Sequence, residues 1–263
     1  MKGYLGMARC SIMANIVYRA HFFFTLGGTI LGITLQFFLW KAIYGDALLI
    51  KGMSFEDTFL WVALSSTIFT MFKTYVDWEM CYSIIEGSIT QTLIKPTDYQ
   101  LYMLSSRVGD LLLNTVIIAL PTVVVLIAGF HAAIPMGVNL LFFVFSLILS
   151  FLMSFTMEFI VGLISFQTNS IWGISTTKDV IIMVMSGAVV PLAFFPDWLR
   201  SVANVLPFRA MYDVPMRILL SRNIGVVEYV QGLGLQIMWI TVLVVLSRIY
   251  FRQAIKVVTV NGG

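Results

Sequence analysis

Long apolar segments separated by short polar stretches constrain this chain more than any other feature of its sequence. A helix needs about 20 apolar residues to cross the hydrocarbon core of a bilayer, and the run Phe22–Tyr44 has that length. Hydrophobic residues make up 59% of the 263 and charged residues 11%, whereas soluble domains have roughly 25% charged residues. Since so few polar groups cannot cover a water-exposed surface, the sequence predicts an all-α polytopic membrane protein, with residues 1–263 forming one transmembrane domain.

We predict six transmembrane helices in the cell membrane, with both termini cytoplasmic, because Lys and Arg are moderately enriched on the side that this topology makes cytoplasmic. Pro121 is expected to kink the third span, which membrane helices tolerate. The predicted spans are Phe22–Tyr44, Phe59–Val76, Leu111–Phe130, Val138–Phe166, a fifth around Val180–Val190, and Val230–Phe251.

The fifth span leaves two alternatives open. Val180–Val190 has eleven residues before Pro191, which makes about 17 Å of helix and cannot cross about 30 Å of hydrocarbon. The helix either begins near Ser170 or continues through Pro191 towards Phe195. We favour the first alternative, which puts the polar run Ser175–Asp179 at membrane depth, facing protein or a wet cavity.

Two further segments are predicted to be helical without crossing the membrane. Residues 1–20 favour an interfacial helix on the inner leaflet over a frayed tail, and the first apolar run is too long for the core of a signal peptide. Between spans five and six, residues 191–228 contain Pro191, Pro196, Pro207 and Pro215. These prolines divide the segment into two pieces too short to span, which predicts a re-entrant helical hairpin in the outer leaflet.

Motifs for catalysis and for nucleotide binding are missing from the sequence. It has no G-x-x-x-x-G-K-[ST], no H-E-x-x-H and no G-x-S-x-G, so we expect no enzyme activity and no catalytic, cofactor-binding or metal-binding residues in this chain. Cys10 and Cys81 are too few for a metal site or a disulfide framework. His21 and His131 lack partners at ligand spacing, and the net charge of +3 indicates membrane orientation and no nucleic-acid binding.

Three residues inside the predicted spans are candidates for a specific role. Glu158 is the only acid deep in an apolar span, and such a carboxylate is costly and usually functional, although a structural hydrogen bond is the alternative. Gly28 and Gly32 form a G-x-x-x-G that permits close approach of another helix, either from a second chain or from this one.

The longest polar interruption in the first half of the chain is Trp78–Arg107, which we call the coupling region. Its run E-G-S-I-T-Q-T-L-I-K-P, Glu86–Pro96, resembles the cytoplasmic-loop signature of ABC-2-type exporter permeases, in which an acid and a Gly precede a short helix ending in Leu-x-x-Pro. The D-W-E at Asp77–Glu79 and the later S-G-A-V-V-P-L-A-F-F-P-D-W-L are also similar to a small six-span subgroup. Ile85 stands where many members have Arg.

The resemblance implies that the chain is the permease subunit of an ATP-binding cassette exporter. A second permease, identical or related, would pair with it in the lipid, and two separate ATPase subunits would bind ATP and magnesium. This chain itself would bind no cofactor. The loop after the second span would be the coupling helix that contacts the ATPase, through Glu86, Gly87, Ser88, Gln91, Leu93, Lys95 and Pro96.

The same resemblance suggests roles for the other candidate residues. We expect the translocation path to be lined by Glu158, Ser175, Thr176, Lys178 and Asp179, among apolar side chains suited to an amphiphilic or hydrophobic substrate. We assign the dimer interface to Gly28, Gly32 and Gly187, and an outer gate to Pro191, Pro196, Trp198, Pro207 and Phe208. A non-transporting sensor or scaffold on the same fold is the main alternative, and import is a further one.

Overall fold

The computed structural model describes residues 2–16, 19–135, 137–168, 170–221 and 225–257, and these ranges are helices joined by short connections. Parts of the predicted interfacial segment (residues 1, 17 and 18) and of the hairpin segment (residues 222–224) lie outside the described residues. The α-helices in the described ranges are α1 Lys2–Ile16, α2 Arg19–Tyr44, α3 Phe55–Phe72, α4 Val76–Ile85, α5 Ile89–Leu93, α6 Tyr99–Asn114, α7 Leu120–Phe130, α8 Val138–Leu163, α9 Trp172–Met185, α10 Asp197–Val205, α11 Pro207–Leu220 and α12 Val226–Ala254.

Within the described part of the chain, five helical segments are long and apolar enough to cross a membrane. They are Phe22–Tyr44, Phe55–Ile85, Tyr99–Phe130, Val138–Phe166 and Val226–Ala254. They correspond to the predicted spans one, two, three, four and six.

The predicted fifth span corresponds to α9, which has 14 residues, or about 21 Å of helix. It begins at Trp172 and includes the polar run, as the favoured alternative expected. However, it ends at Met185, so the prediction of helix as far as Val190 was wrong. Gly187 follows in a left-handed turn with φ of 80°, which ends the helix early. The six-span count remains a prediction.

The second apolar segment contains a break that the sequence reading missed. Its helix α3 begins earlier than predicted, because the Ser54 side chain caps it by accepting a hydrogen bond from the backbone N–H of Asp57 at 3.1 Å. It ends at Phe72, and the chain turns through Tyr75, whose φ of 53° is left-handed. The next helix, α4, extends into the coupling region, whose first residues are therefore helical.

The third membrane segment is helical from Tyr99 to Phe130, with a π-helical turn at Thr115–Ala119. This turn lies immediately before Pro121, whose ring cannot fit a regular α-helical turn and whose nitrogen has no proton to donate. The irregularity expected at Pro121 is therefore absorbed by a wider helical turn in the preceding residues.

The predicted N-terminal helix is present as α1, and it packs along α6. At Gly109 the two backbones approach so closely that an added Cβ would lie 2.4 Å from the carbonyl oxygen of Ala8. The side chains of Ser11 and Asn15 donate hydrogen bonds to the carboxylate of Asp110, the second at 2.7 Å. These contacts attach α1 to the chain's own membrane domain, while its placement on the inner leaflet remains a prediction.

The segment between α9 and α12 forms two short helices, α10 and α11, as the prolines predicted. Most of α11 is buried, and the ring of its Tyr212 lies 5.8 Å from that of Phe69 and 6.4 Å from that of Phe72. Because Phe72 is the last residue of α3, α11 reaches deep between the long helices. The position of this pair in a membrane remains a prediction.

Candidate functional site

Five charged side chains meet at the break between α3 and α4, and we call them the helix-break cluster. Lys73 lies at the end of α3, Asp77 in the first turn of α4 and Glu158 on α8, while Lys178 and Asp179 lie on α9. Asp77 and Glu158 are among the most deeply buried charged residues described, with 1% and 4% of their surface exposed. Side chains from four helices are thus brought to one point inside an apolar protein.

Glu158 caps the start of α4 from a neighbouring helix. Its carboxylate accepts hydrogen bonds from the backbone N–H of Val76 at 3.1 Å and from that of Thr74 at 3.3 Å. The Thr74 hydroxyl donates to it as well. The first N–H groups of a helix have no partner within the helix, and an unsatisfied group at membrane depth costs several kcal/mol. Glu158 supplies the acceptor that the break in the second segment requires.

Asp77 connects α4 to α9. One carboxylate oxygen accepts a hydrogen bond from the backbone N–H of Trp78 at 2.9 Å. The other accepts from the Ser175 hydroxyl at 2.7 Å and from the Lys178 ammonium at 2.8 Å. The indole N–H of Trp78 also donates to Ser175, at 3.1 Å. The start of α4 is therefore held on α8 by Glu158 and on α9 by Asp77.

A second ion pair joins the end of α3 to α9, between the Lys73 ammonium and one oxygen of the Asp179 carboxylate. The other oxygen of Asp179 lies 3.3 Å from the Lys178 ammonium. Each lysine of the cluster is thus paired with an acid on a different helix. Removing one partner of a buried pair leaves an uncompensated charge, which costs about 3–5 kcal/mol.

The structure brings together four of the five residues predicted to line a translocation path. Glu158, Ser175, Lys178 and Asp179 belong to the cluster or contact it, whereas Thr176 is exposed on another face of α9. Lys73 and Asp77, which pair with Asp179 and Lys178, were not predicted from the sequence as site residues. The sequence did contain one indication of these partners. Lys178 and Asp179 lie in a predicted span, and each requires an opposite charge nearby.

The predicted coupling residues follow α4 in a compact loop. Glu86 ends α4, and Gly87 has a φ of 73°, a left-handed conformation that suits glycine. Ser88 precedes the five-residue helix α5, which ends at Leu93, before Pro96. Gln91, Lys95 and Pro96 are exposed, while Leu93 is half-buried.

The surface of this loop carries exposed apolar side chains. Ile85 is 57% exposed and Ile94 is 83% exposed, on either side of α5, and Tyr82 is exposed on α4. Ile89, in contrast, is buried and belongs to a cluster of buried apolar residues that includes Tyr99. The loop and its flanks therefore expose several apolar side chains, while Ile89 anchors the loop to the membrane domain.

The anchor on the far side of the loop is polar as well as aromatic. Tyr99 stacks on Phe251 of α12 with the ring centroids 5.6 Å apart. Just before it, Asp98 caps α6 by accepting a hydrogen bond from the backbone N–H of Leu101 at 2.9 Å, and it forms an ion pair with Arg248. Partial burial alone would raise the pKa of Asp98, but the hydrogen bonds from Arg248 and Leu101 outweigh it and hold the pKa below its usual range.

The resemblance to ABC-2-type permeases was based on the run Glu86–Pro96, which forms this loop, and on the motifs near it. A family model described as ABC-2 family transporter protein matches residues 30–262. The chain belongs to the ABC-2 family. It is accordingly a multi-pass membrane component of a transporter, and members of this permease family are not themselves catalytic. No curated protein matches the chain.

The predicted dimer residues of this ABC-2 protein fall in two different environments. Gly28 and Gly32 lie on an open face of α2, where an added Cβ would meet no atom within 4 Å. Gly187 is buried, and its carbonyl oxygen accepts a hydrogen bond from the Trp61 indole at 3.0 Å. The structure thus places Gly187 in a turn inside its own chain, and it offers no bare surface to a second copy.

The predicted outer-gate residues of the ABC-2 protein differ in their burial. Pro191 and Pro207 are buried and Phe208 is half-buried, whereas Pro196 and Trp198 are exposed around the start of α10. Their role in a gate remains a prediction.

Proposed function

We propose that this chain is the permease subunit of an ATP-binding cassette exporter in the cell membrane. A separate ATPase would hydrolyse ATP with magnesium and drive the movement of an amphiphilic or hydrophobic substrate. Membership of the ABC-2 family supports the transport role, while the direction, the substrate and the ATPase are parts of the proposal.

The proposal is based mainly on the apolar side chains exposed on and beside residues 86–96, which we call the coupling loop. Ile85 and Ile94 expose most of their surface next to polar residues such as Glu86 and Lys95. An apolar patch with a polar rim is typical of a protein interaction site. Because Ile89 anchors the loop to the buried apolar cluster, a push on this face would be transmitted into the membrane helices.

A second permease is proposed to pack on the open face of α2. Gly28 and Gly32 border a groove of about 320 Å³ between α2 and α3, which Ser66 and Thr70 also line. In the same groove the side-chain carbonyl oxygen of Gln36 is buried without a hydrogen-bond partner. Small residues and side-chain hydrogen bonds are what join helices in membranes, so this face suits a helix of another permease.

The proposed substrate route passes the helix pair α10–α11. A cavity of about 410 Å³ lies beside α11 and is lined by Trp61, Pro191, Asp213 and Arg217 among others. Its mixture of aromatic, aliphatic and charged residues is compatible with an amphiphile. The proposed outer gate would lie at this cavity, with Pro191 in its wall.

The proposal is tested by purifying the chain from its native membranes and identifying the proteins that remain bound. We expect an ATP-binding cassette ATPase, and we expect ATP hydrolysis by the complex in liposomes to be stimulated by amphiphiles. A stable complex that hydrolyses ATP but moves no amphiphile across the liposome membrane would favour the sensor or scaffold. Failure to bind any ATPase would refute the permease assignment.

A further inference from the structure

The coupling loop is attached to the membrane domain through α4, and the start of α4 is where the helix-break cluster lies. The break at residues 73–75 interrupts the helical hydrogen-bond pattern between α3 and α4. Tyr75 adopts a left-handed conformation there, which is uncommon for a residue other than glycine. Such a break allows α4 to change its angle to α3 without unfolding either helix.

A pivot for such a movement lies on α8. Gly162 is one helical turn beyond Glu158, and an added Cβ there would lie 3.1 Å from the Cα of Asp77 and 2.7 Å from the sulfur of Met80. The two backbones are therefore in close contact at this point, directly beside the carboxylate that caps α4. Rotation of α4 about this contact would move its other end, Ile85, together with the coupling loop.

The charges on α9 are arranged so that one of them can change partner. The Lys178 ammonium lies 2.8 Å from Asp77 and 3.3 Å from Asp179. Lys178 is therefore bound to Asp77 on α4 and already contacts Asp179, its neighbour on α9. If α4 moved away from α9, Lys178 would transfer fully to Asp179, and Asp77 would leave Ser175 as well, keeping the Trp78 backbone N–H of its own helix as a donor.

The surroundings of Lys178 leave space for this exchange. A cavity of about 10 Å³ borders Lys73, Glu158, Lys178 and Asp179 and is closed on the side of α11 by Tyr212. This is about the volume that holds a single water molecule. A packed polar interface with two alternative arrangements of its charges is the kind of two-state element through which movement is transmitted.

We propose that Glu158 and Lys178 are positioning residues for the coupling loop. Glu158 holds the start of α4 on α8 as a pivot, and Lys178 exchanges Asp77 for Asp179 when the ATPase moves the loop. The proposal rests on the proposed function, because it assumes that an ATPase acts on the loop. It adds that the movement of α4 relative to α9 is controlled by a lysine shared between two acids.

The test measures the distance between α4 and α9 in the complex with its ATPase in liposomes. Spin labels are placed on cysteines at Tyr82 and Ile174, which are exposed, after Cys10 and Cys81 are replaced by Ala. Distances are measured by pulsed electron–electron double resonance, first without nucleotide and then with ATP plus vanadate. We expect a second distance to appear with nucleotide in the otherwise unchanged protein.

Asp179→Asn removes the second acid available to Lys178, and we expect it to reduce the population of the second distance by about tenfold, a typical size for coupling between sites. Asp179→Glu should restore it. Asp46→Asn, in an exposed outer loop, is the matched control and should behave as the unchanged protein.

A purely structural cluster predicts a different pattern, in which Asp179→Asn lowers thermal stability but leaves the nucleotide-dependent distance in place. That result, or a single distance in a wild-type complex that hydrolyses ATP, would overturn the inference. If the wild-type chain binds no ATPase or supports no hydrolysis, the proposed function fails instead, so the two failures are distinguishable.

Discussion

The carboxylate of Glu158 on α8 accepts a hydrogen bond from the backbone N–H of Val76, the first residue of α4, at 3.1 Å. The two residues are 82 positions apart in the chain. The break in the second membrane segment leaves backbone N–H groups without a helical partner. A side chain of the fourth segment accepts their hydrogen bonds. An acid that looks isolated in the sequence has a structural partner, the start of a helix.

Replacing Glu158 tests this relationship directly. Glu158→Leu should lower the free energy of unfolding by about 1–3 kcal/mol, because the N–H groups of Thr74 and Val76 would lose their acceptor. Glu158→Gln retains one acceptor oxygen and should cost less. The measurement is the thermal unfolding midpoint in detergent, with Glu56→Gln, an exposed acid, as the control. Equal effects of the Leu and Gln variants would contradict the capping role.

The exposed isoleucines of the coupling loop should be required for binding the ATPase. Ile94→Asp places a charge on the proposed contact surface and should weaken the complex by at least about tenfold, since a buried unpaired charge at an interface costs several kcal/mol. Affinity is measured by titrating purified ATPase into the chain in nanodiscs. Ile255→Asp, an exposed isoleucine on the segment that follows α12, is the matched control and should bind normally.

Substitutions at Glu86 and Gly87 should affect the coupling of ATP hydrolysis to transport and leave the insertion of the chain into the membrane unchanged. Gly87 has a φ of 73°, and proline cannot adopt a positive φ because its ring fixes the angle near −65°. Gly87→Pro should therefore distort the loop, and Glu86→Lys should reverse its charge. Both variants are expected in the membrane at normal levels with ATP hydrolysis no longer linked to transport. Normal transport per ATP in both would exclude this loop as the coupling element.

The open face of α2 should mediate association with a second permease. A Cβ added at Gly28 or Gly32 meets no atom of this chain within 4 Å, so in Gly28→Leu and Gly32→Leu the isolated chain should fold normally while the bare surface is lost. We expect crosslinking between cysteines placed on this face of α2 to fall severalfold. Gly27→Leu is the control, because Gly27 is equally open but lies on an adjacent face of the helix. An equal loss with Gly27→Leu would argue against a specific interface.

Asp98 should contribute an acid-sensitive part of the stability. Burial alone would raise its pKa, but Arg248 and the Leu101 N–H hold the pKa in the folded state below its usual range. A depressed pKa gives stability that is complete above the unfolded-state pKa and is lost as the pH falls through the folded-state pKa. Thermal unfolding of Asp98→Asn between about pH 6 and pH 3 should thus depend less steeply on pH than that of the wild type. Asp46→Asn should show the wild-type slope.

The helix pair α10–α11 should be reachable from outside the cell only. A cysteine at the exposed Asn204 should react with a membrane-impermeant thiol reagent added to intact cells, and one at Glu86 should react only after the membrane is opened. Labelling of Asn204 from the cytoplasmic side would refute both the re-entrant hairpin and the proposed topology.

The sequence by itself determined which segments are long helices and where several of them begin or end. Hydropathy over about 20 residues is a local property, so Phe22–Tyr44 and Val138–Phe166 were predicted with nearly the bounds observed. Proline chemistry is also local, and it divided residues 191–228 into two short helices. The sequence of the loop, Glu86–Pro96, indicated the family.

The tertiary structure decided the break at residues 73–75, the early end of α9 and the partners of the buried charges. Nothing in the neighbouring sequence marks Tyr75 as left-handed, because that conformation is stable only when Glu158 from another helix satisfies the freed N–H groups. Likewise, Lys178 finds Asp77 over a separation of 101 residues. In an apolar medium a charge must be paired wherever the fold brings its partner, and packing, which the local pattern does not encode, selects that partner.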